Sequence, residues 1–309
     1  MTKNTPFQQR RRQQFLVESY FKHQLIDYDA VINGPEGLEE NLKSRERERG
    51  WHMSLARGVG TEKLHQLFLK YTAGEPIDPL RKDLEEVVSA YERYGEYLWK
   101  HTGDRNDWVF DFDFLDEYCE LMQLVGLCFL LHRRDLLPRI AALQDGDNGS
   151  NGGADVLFEE FMCHVVDAQK RYQTDHACQI RPYENLFYAL TEPEQPAQLK
   201  ELDLFLEHWY KDLSGVGWHD SHKPNENGDL GGYYGYWSFE AGAAVLLLGI
   251  EDDSSLHKYL YYPKDLVAWA RAHAAEYPDG GLSSSAPAPD RVPGGQPCPP
   301  APPRGASPA

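Results

Sequence analysis

Apolar residues recur at spacings of three and four along most of this chain, and strict alternation of apolar with polar residues is scarce. That periodicity constrains the fold more than any other feature, because it lines side chains up on one face of a helix and not of a strand. Leu80, Leu84, Val87, Val88, Tyr91, Tyr94 and Leu98 make one stripe, and Leu115, Tyr118, Cys119, Met122, Val125, Gly126, Phe129 and Leu130 make the next. Leu199, Leu202, Leu206, Trp209, Tyr210 and Leu213 make a third, and Ser238–Leu248 is almost wholly apolar, which suits a helix buried on all sides. The expected class is all-α.

Residues 7–143 read as a first helical unit. Phe15, Leu16, Tyr20, His23 and Ile26 suggest its opening helix. A further helical region over 36–74 is expected to break at Gly58 and Gly60. Asp78 followed by Pro79 predicts a helix start, with a capping oxygen and a first-turn proline. Residues 144–153 are polar and glycine-rich, and read as a linker. Residues 154–278 form a second helical unit, whose last helix opens at Pro263. From 279 to 309 proline, glycine, serine and alanine dominate, so this tail is expected to be disordered.

The formal charge is −18, which argues against nucleic acid or an anionic membrane as a partner and suits a cytoplasmic protein or one with a basic partner. The longest apolar run, around Val245–Ile250, is far short of a membrane span, and the N-terminus does not read as a secretory signal. Cys119, Cys128, Cys163, Cys178 and Cys298 show no C-x-x-C spacing, so neither a disulfide framework nor a zinc knuckle is expected.

Candidate chemistry is sparse. His219, Asp220 and His222 sit in a Gly/Pro/Asn-rich loop, with the histidines three apart and not four, which favours loop capping over metal ligation. Glu240, among Tyr236, Trp237 and Phe239, is a buried acid that could serve as a general acid, but its expected role is structural. No nucleophile elbow, phosphate loop or zinc motif is present, so no catalytic residue, metal or cofactor is expected. The run from Asp104 to Glu120 holds seven acids against Arg105 alone, interleaved with Trp108, Phe110, Phe112 and Phe114. It reads equally as a solvated loop leading into a helix or as an acidic surface with aromatic anchors, such as an inhibitor of a basic enzyme carries.

The order Tyr233-Tyr234-Gly235-Tyr236-Trp237-Ser238-Phe239-Glu240-Ala241, then Ile250-Glu251-Asp252-Asp253-Ser254, then Tyr261-Tyr262-Pro263-Lys264-Asp265-Leu266, resembles the C-terminal domain of PoNi-type immunity proteins. Residues 10–130 are similar to the family's N-terminal helical domain in length and texture, while the tail departs from its pattern. The resemblance implies a bacterial cytoplasmic immunity protein, and not an enzyme. It would neutralise a basic DNase toxin of the PD-(D/E)XK type, delivered between competing cells by type VI or similar secretion. Tyr236, Trp237, Phe239, Glu240, Pro263 and Asp265 are then residues that hold the fold, with Asp253 or Ser254 capping a turn. For toxin binding the candidate acids are Asp104, Asp107, Asp111, Asp113, Asp220, Glu226 and Asp229. The rival readings are a hydrolase-like or metal-dependent enzyme built on His219, Asp220, His222 and Glu240, and a generic helical adaptor.

Overall fold

The computed structural model describes residues 4–43, 49–165, 171, 173–224 and 231–277. Its regular elements are α1 (Pro6–Arg10), α2 (Glu18–Asn33), α3 (Leu38–Leu42), α4 (Arg49–Thr72), α5 (Leu80–Thr102), α6 (Leu115–Leu130), α7 (Leu137–Gln144), α8 (Val156–Met162), α9 (Ile180–Thr191), α10 (Gln195–Asp212), α11 (Phe239–Leu247) and α12 (Lys264–His273). The described residues contain no strand, as the helical periodicity requires. None of these helices is long and apolar enough to cross a membrane. The tail from residue 279, Glu226 and Asp229 lie outside the described residues.

Three pairings build the molecule: α4 on α5, α9 on α10, and α6 on α11 between them. The last joins the segment before residue 144 to the segment after residue 153. At Gly126 of α6 an added Cβ would lie 2.6 Å from the Glu240 nitrogen and the Phe239 carbonyl carbon, so only glycine lets the two backbones approach this closely. One hydrophobic core runs through both units, from Phe7 to Val267.

Three sequence expectations change. The helix of the 36–74 region is not interrupted at Gly58 and Gly60, because α4 runs through both. Packing against α5 outweighs the roughly 1 kcal/mol that a mid-helix glycine costs. Asp78 does not cap α5, whose N-cap is Pro79 without a side-chain cap bond. The Asp78 carboxylate instead accepts the Tyr277 hydroxyl at 2.5 Å. The stretch 144–153 has no apolar anchor, but polar groups fasten it. Asn106 Oδ1 accepts from the Asp147 nitrogen and the Ser150 hydroxyl, and Arg171 bridges Asp145 and Glu159 at 2.8 Å each.

Candidate functional site

The aromatic lead of the C-terminal motif is an extended strip, residues 233–238, that enters the core without belonging to any helix or sheet. Tyr233, Tyr234, Tyr236, Trp237 and Ser238 are all buried, so their peptide groups need partners out of reach of water. The first helical unit supplies them. Gln13, 1% exposed, accepts the Tyr236 N–H at 2.9 Å and the Tyr233 hydroxyl at 2.5 Å, and its amide donates to the Tyr236 carbonyl at 2.5 Å. The Thr72 hydroxyl lies 2.7 Å from the Tyr234 carbonyl and accepts the Trp237 indole N–H at 2.8 Å. Gln123 donates to the Trp237 carbonyl at 2.9 Å. Gly235, at φ +117°, allows the strip to pass Thr72, since a Cβ there would sit 2.0 Å from the Thr72 oxygen.

The strip ends on α11, where Phe239 packs against Phe68 and Tyr71. Glu240 is fully buried, and its Oε1 accepts from the Trp209 indole at 2.7 Å and the Ser238 hydroxyl at 2.9 Å. Its Oε2 has no side-chain hydrogen-bond partner among the described residues. Burial raises this carboxyl to about 7, against the donors that favour its anion. Pro263 precedes α12, and Asp265 stands 3.4 Å from Arg12 Nε. Asp253 does not cap its turn by its side chain. That carboxylate receives Tyr262 at 2.5 Å and Arg271 at 2.9 Å, while Asp252 accepts from the Ser254 nitrogen.

Of the enzyme-like set the loop brings His219 Nδ1 to 3.8 Å from the Asp220 carboxylate, while Glu240 is engaged elsewhere. The His222 ring is 2.8 Å from the Tyr236 hydroxyl and packs on Phe15, while His219 packs on Tyr210. Asp220, at φ +62°, accepts from the Tyr210 hydroxyl at 2.8 Å and pairs with Lys223 at 2.6 Å. These contacts, that of Lys223 first, hold its carboxyl below the usual range. Glu240 answers to Trp209 and Ser238 and to neither histidine.

The acidic run divides into inward and outward members. Glu120 and Glu117 turn onto Arg57, at 2.7 and 3.5 Å, and Glu120 also takes the Tyr91 hydroxyl. Asp116 accepts the Gly217 N–H at 2.6 Å. Asp104 and Asp111 each accept the N–H two residues on, from Asn106 and Asp113, at 2.9 Å. Such turns are a common use of aspartate in a loop. The Asp107 and Asp113 carboxylates take no hydrogen bond or ion pair among the described residues. The loop beneath them is strapped down by Trp99, donating to the Asp107 carbonyl, and by Gln144, which makes two bonds to Phe110. Phe110 and Phe112 are buried, but Phe114 is 64% exposed.

Two groupings escaped the sequence reading, the first because distant segments compose it and the second although its acid, thiol and imidazole stand at helical spacings of three and four. One is a cleft of about 240 Å³ lined by Arg12, Tyr71, Lys258, Tyr262, Lys264 and Asp265. Two of its cations are engaged, Arg12 with the Tyr71 carbonyl and Lys258 with Asp203. The other brings donor atoms of Glu160, Cys163 and His164 within 4.8 Å of one another. There the Cys163 thiol donates to the Glu160 carbonyl, and burial pushes it up to about 12, which makes it a poor metal ligand.

Residues 153–266 match the family described as PoNe immunity proteins (PoNi), C-terminal. No curated protein matches the chain. Among solved structures, protein PA2201 from Pseudomonas aeruginosa is similar with a TM-score of 0.64 at 16% identity, over 85% of this chain and 92% of that one. That likeness shows a shared fold spanning both helical units. The family match covers the buried strip, α11 and the opening of α12, so the resemblance to PoNi immunity proteins rests on the second part of the chain.

Proposed function

We propose that this chain is a cytoplasmic immunity protein that binds a cognate PoNe-type DNase toxin and keeps it from cutting DNA. The observation that carries the reading is the family match over residues 153–266. Physical chemistry supports the partner's character. A nuclease must bring cations to phosphates, and a chain of charge −18 is drawn to such a surface. The same charge repels nucleic acid itself. Electrostatic steering speeds capture, which matters for a toxin delivered in few copies by a type VI or similar secretion system. On this reading the protein works by binding and performs no reaction.

Co-expression tests it. The nuclease domain of a PoNe-type toxin, taken from the neighbouring gene where that gene encodes one, is induced with and without the full chain. Survival, co-purification and protection of plasmid DNA in vitro are expected together. DNA cleavage that proceeds at the same rate with a saturating excess of the chain would overturn the reading.

A further inference from the structure

Two loops far apart in sequence put large apolar side chains into solvent at one place. Phe114 is 64% exposed at the start of α6, and Ile180 is 59% exposed at the start of α9. Gln179 joins their segments, its amide donating to the Phe112 carbonyl at 2.9 Å and the Asp113 carbonyl at 3.1 Å. Each exposed side chain is thus one residue from that junction. Asp111 and Asp113 act across it, for their charges reinforce the burial that lifts the Cys178 thiol to about 12. The Phe114 loop is also held before any partner arrives. The Asp111 N–H donates to Glu117 at 2.8 Å, the Asp113 N–H to Asp111 at 2.9 Å, and Asp116 takes Gly217.

An exposed aromatic and an aliphatic side chain with carboxylates of Asp111, Asp113 and Asp116 on the Phe114 side have the make-up of an interface centre with a charged rim. The loop's rigidity lowers the ordering cost of binding. Resting on the immunity reading above, we propose that Phe114 and Ile180 are the apolar centre of the surface that docks onto the basic DNA-binding face of the cognate nuclease, with Asp111, Asp113 and Asp116 as its acidic rim. Charge complementarity selects this occupant. A second copy would bring carboxylates against carboxylates, and a nucleic acid would bring phosphates. Arg181 is exposed beside Ile180 and is the one cation next to the patch's apolar pair in sequence.

The test measures association and dissociation rates of the full chain with the purified nuclease domain of the same PoNe-type toxin, at low and high salt. Phe114→Glu and, as a milder change, Phe114→Ala are compared with Ile180→Glu, Asp113→Lys and Ile26→Glu, the last a 69% exposed apolar residue on α2. Phe114→Glu is expected to weaken binding at least about 30-fold and Ile180→Glu about 10-fold, chiefly through faster dissociation. Asp113→Lys slows association at low salt, and Ile26→Glu changes nothing. Unchanged melting temperatures exclude unfolding as the cause. Binding kept within about threefold by both Phe114→Glu and Ile180→Glu overturns this surface while leaving the immunity reading intact. A wild-type chain that fails to bind the nuclease overturns both. Loss of self-association in Phe114→Glu, measured by sedimentation, with nuclease binding unchanged assigns the patch to a second copy and also overturns the proposal.

Discussion

Residues 104–114 and 233–238 are both irregular, aromatic-rich and followed by a helix, yet one lies largely at the surface and the other in the core. The outer loop satisfies part of its backbone from within and part from Trp99, Glu117, Gln144 and Gln179. Asp104 and Asp111 close turns on their own neighbours, and the alternation of acids with aromatics leaves Phe110 and Phe112 inside and carboxylates outside. The inner strip has almost no internal hydrogen bonds, and depends on Gln13, Thr72 and Gln123, which lie more than 100 residues away. A chain can therefore vary the outward acids of this loop, Asp107 and Asp113, with little effect on the fold. It cannot vary the inner strip without also changing a partner in the other helical unit.

Substitutions that break this contrast should differ widely in cost. The largest effect is expected for Gly235→Ala. It places a methyl 2.0 Å from the Thr72 oxygen at a φ that side-chain-bearing residues avoid, and should cost more than about 4 kcal/mol. Little soluble protein, or a collapsed thermal transition, is the expected readout, and wild-type melting would show that the strip is not locked against Thr72. Gln13→Ala comes next, at about 3 kcal/mol by urea denaturation, because it leaves both peptide groups of Tyr236 buried without partners.

Glu240 produces a pH dependence of similar size. Its folded value of about 7 lies above the ordinary 4.5, so the folded state holds the proton more tightly than the unfolded chain. The stability from this proton is complete below about pH 4.5 and is lost as pH rises through 7, a span of about 3 kcal/mol. Glu240→Gln should remove that slope, and the difference between the two stability curves isolates it from histidines that titrate nearby. Parallel curves from pH 5 to pH 8 would contradict a neutral Glu240. The smallest effect on stability belongs to the outer loop. Asp104→Lys with Asp113→Lys should move the unfolding free energy by less than about 0.5 kcal/mol per site, yet weaken the salt dependence of nuclease capture.

Much of the scaffold was legible from residue spacing. The stripes at 80–98, 115–130 and 199–213 correspond to α5, α6 and α10, and the apolar run after Ser238 is α11. The motif residues Tyr236, Trp237, Phe239 and Glu240 were legible as buried structure because aromatics beside small residues rarely face water. The site was less legible. Asp220 reads as an open acid in sequence, and the structure gives it Lys223 and Tyr210. Glu117 and Glu120 look like surface charge until Arg57 meets them from α4.

Helical periodicity, strong negative charge and the order of the C-terminal motif were determined by the sequence alone, since each is a property of neighbouring residues or of a sum over the chain. The tertiary structure decided which acids face outward, which side chains complete the buried strip and that exposed Phe114 and Ile180 flank one hydrogen-bonded junction. Those outcomes depend on hydrogen bonds and contacts between residues tens to hundreds of positions apart, and such pairings leave no local pattern to read.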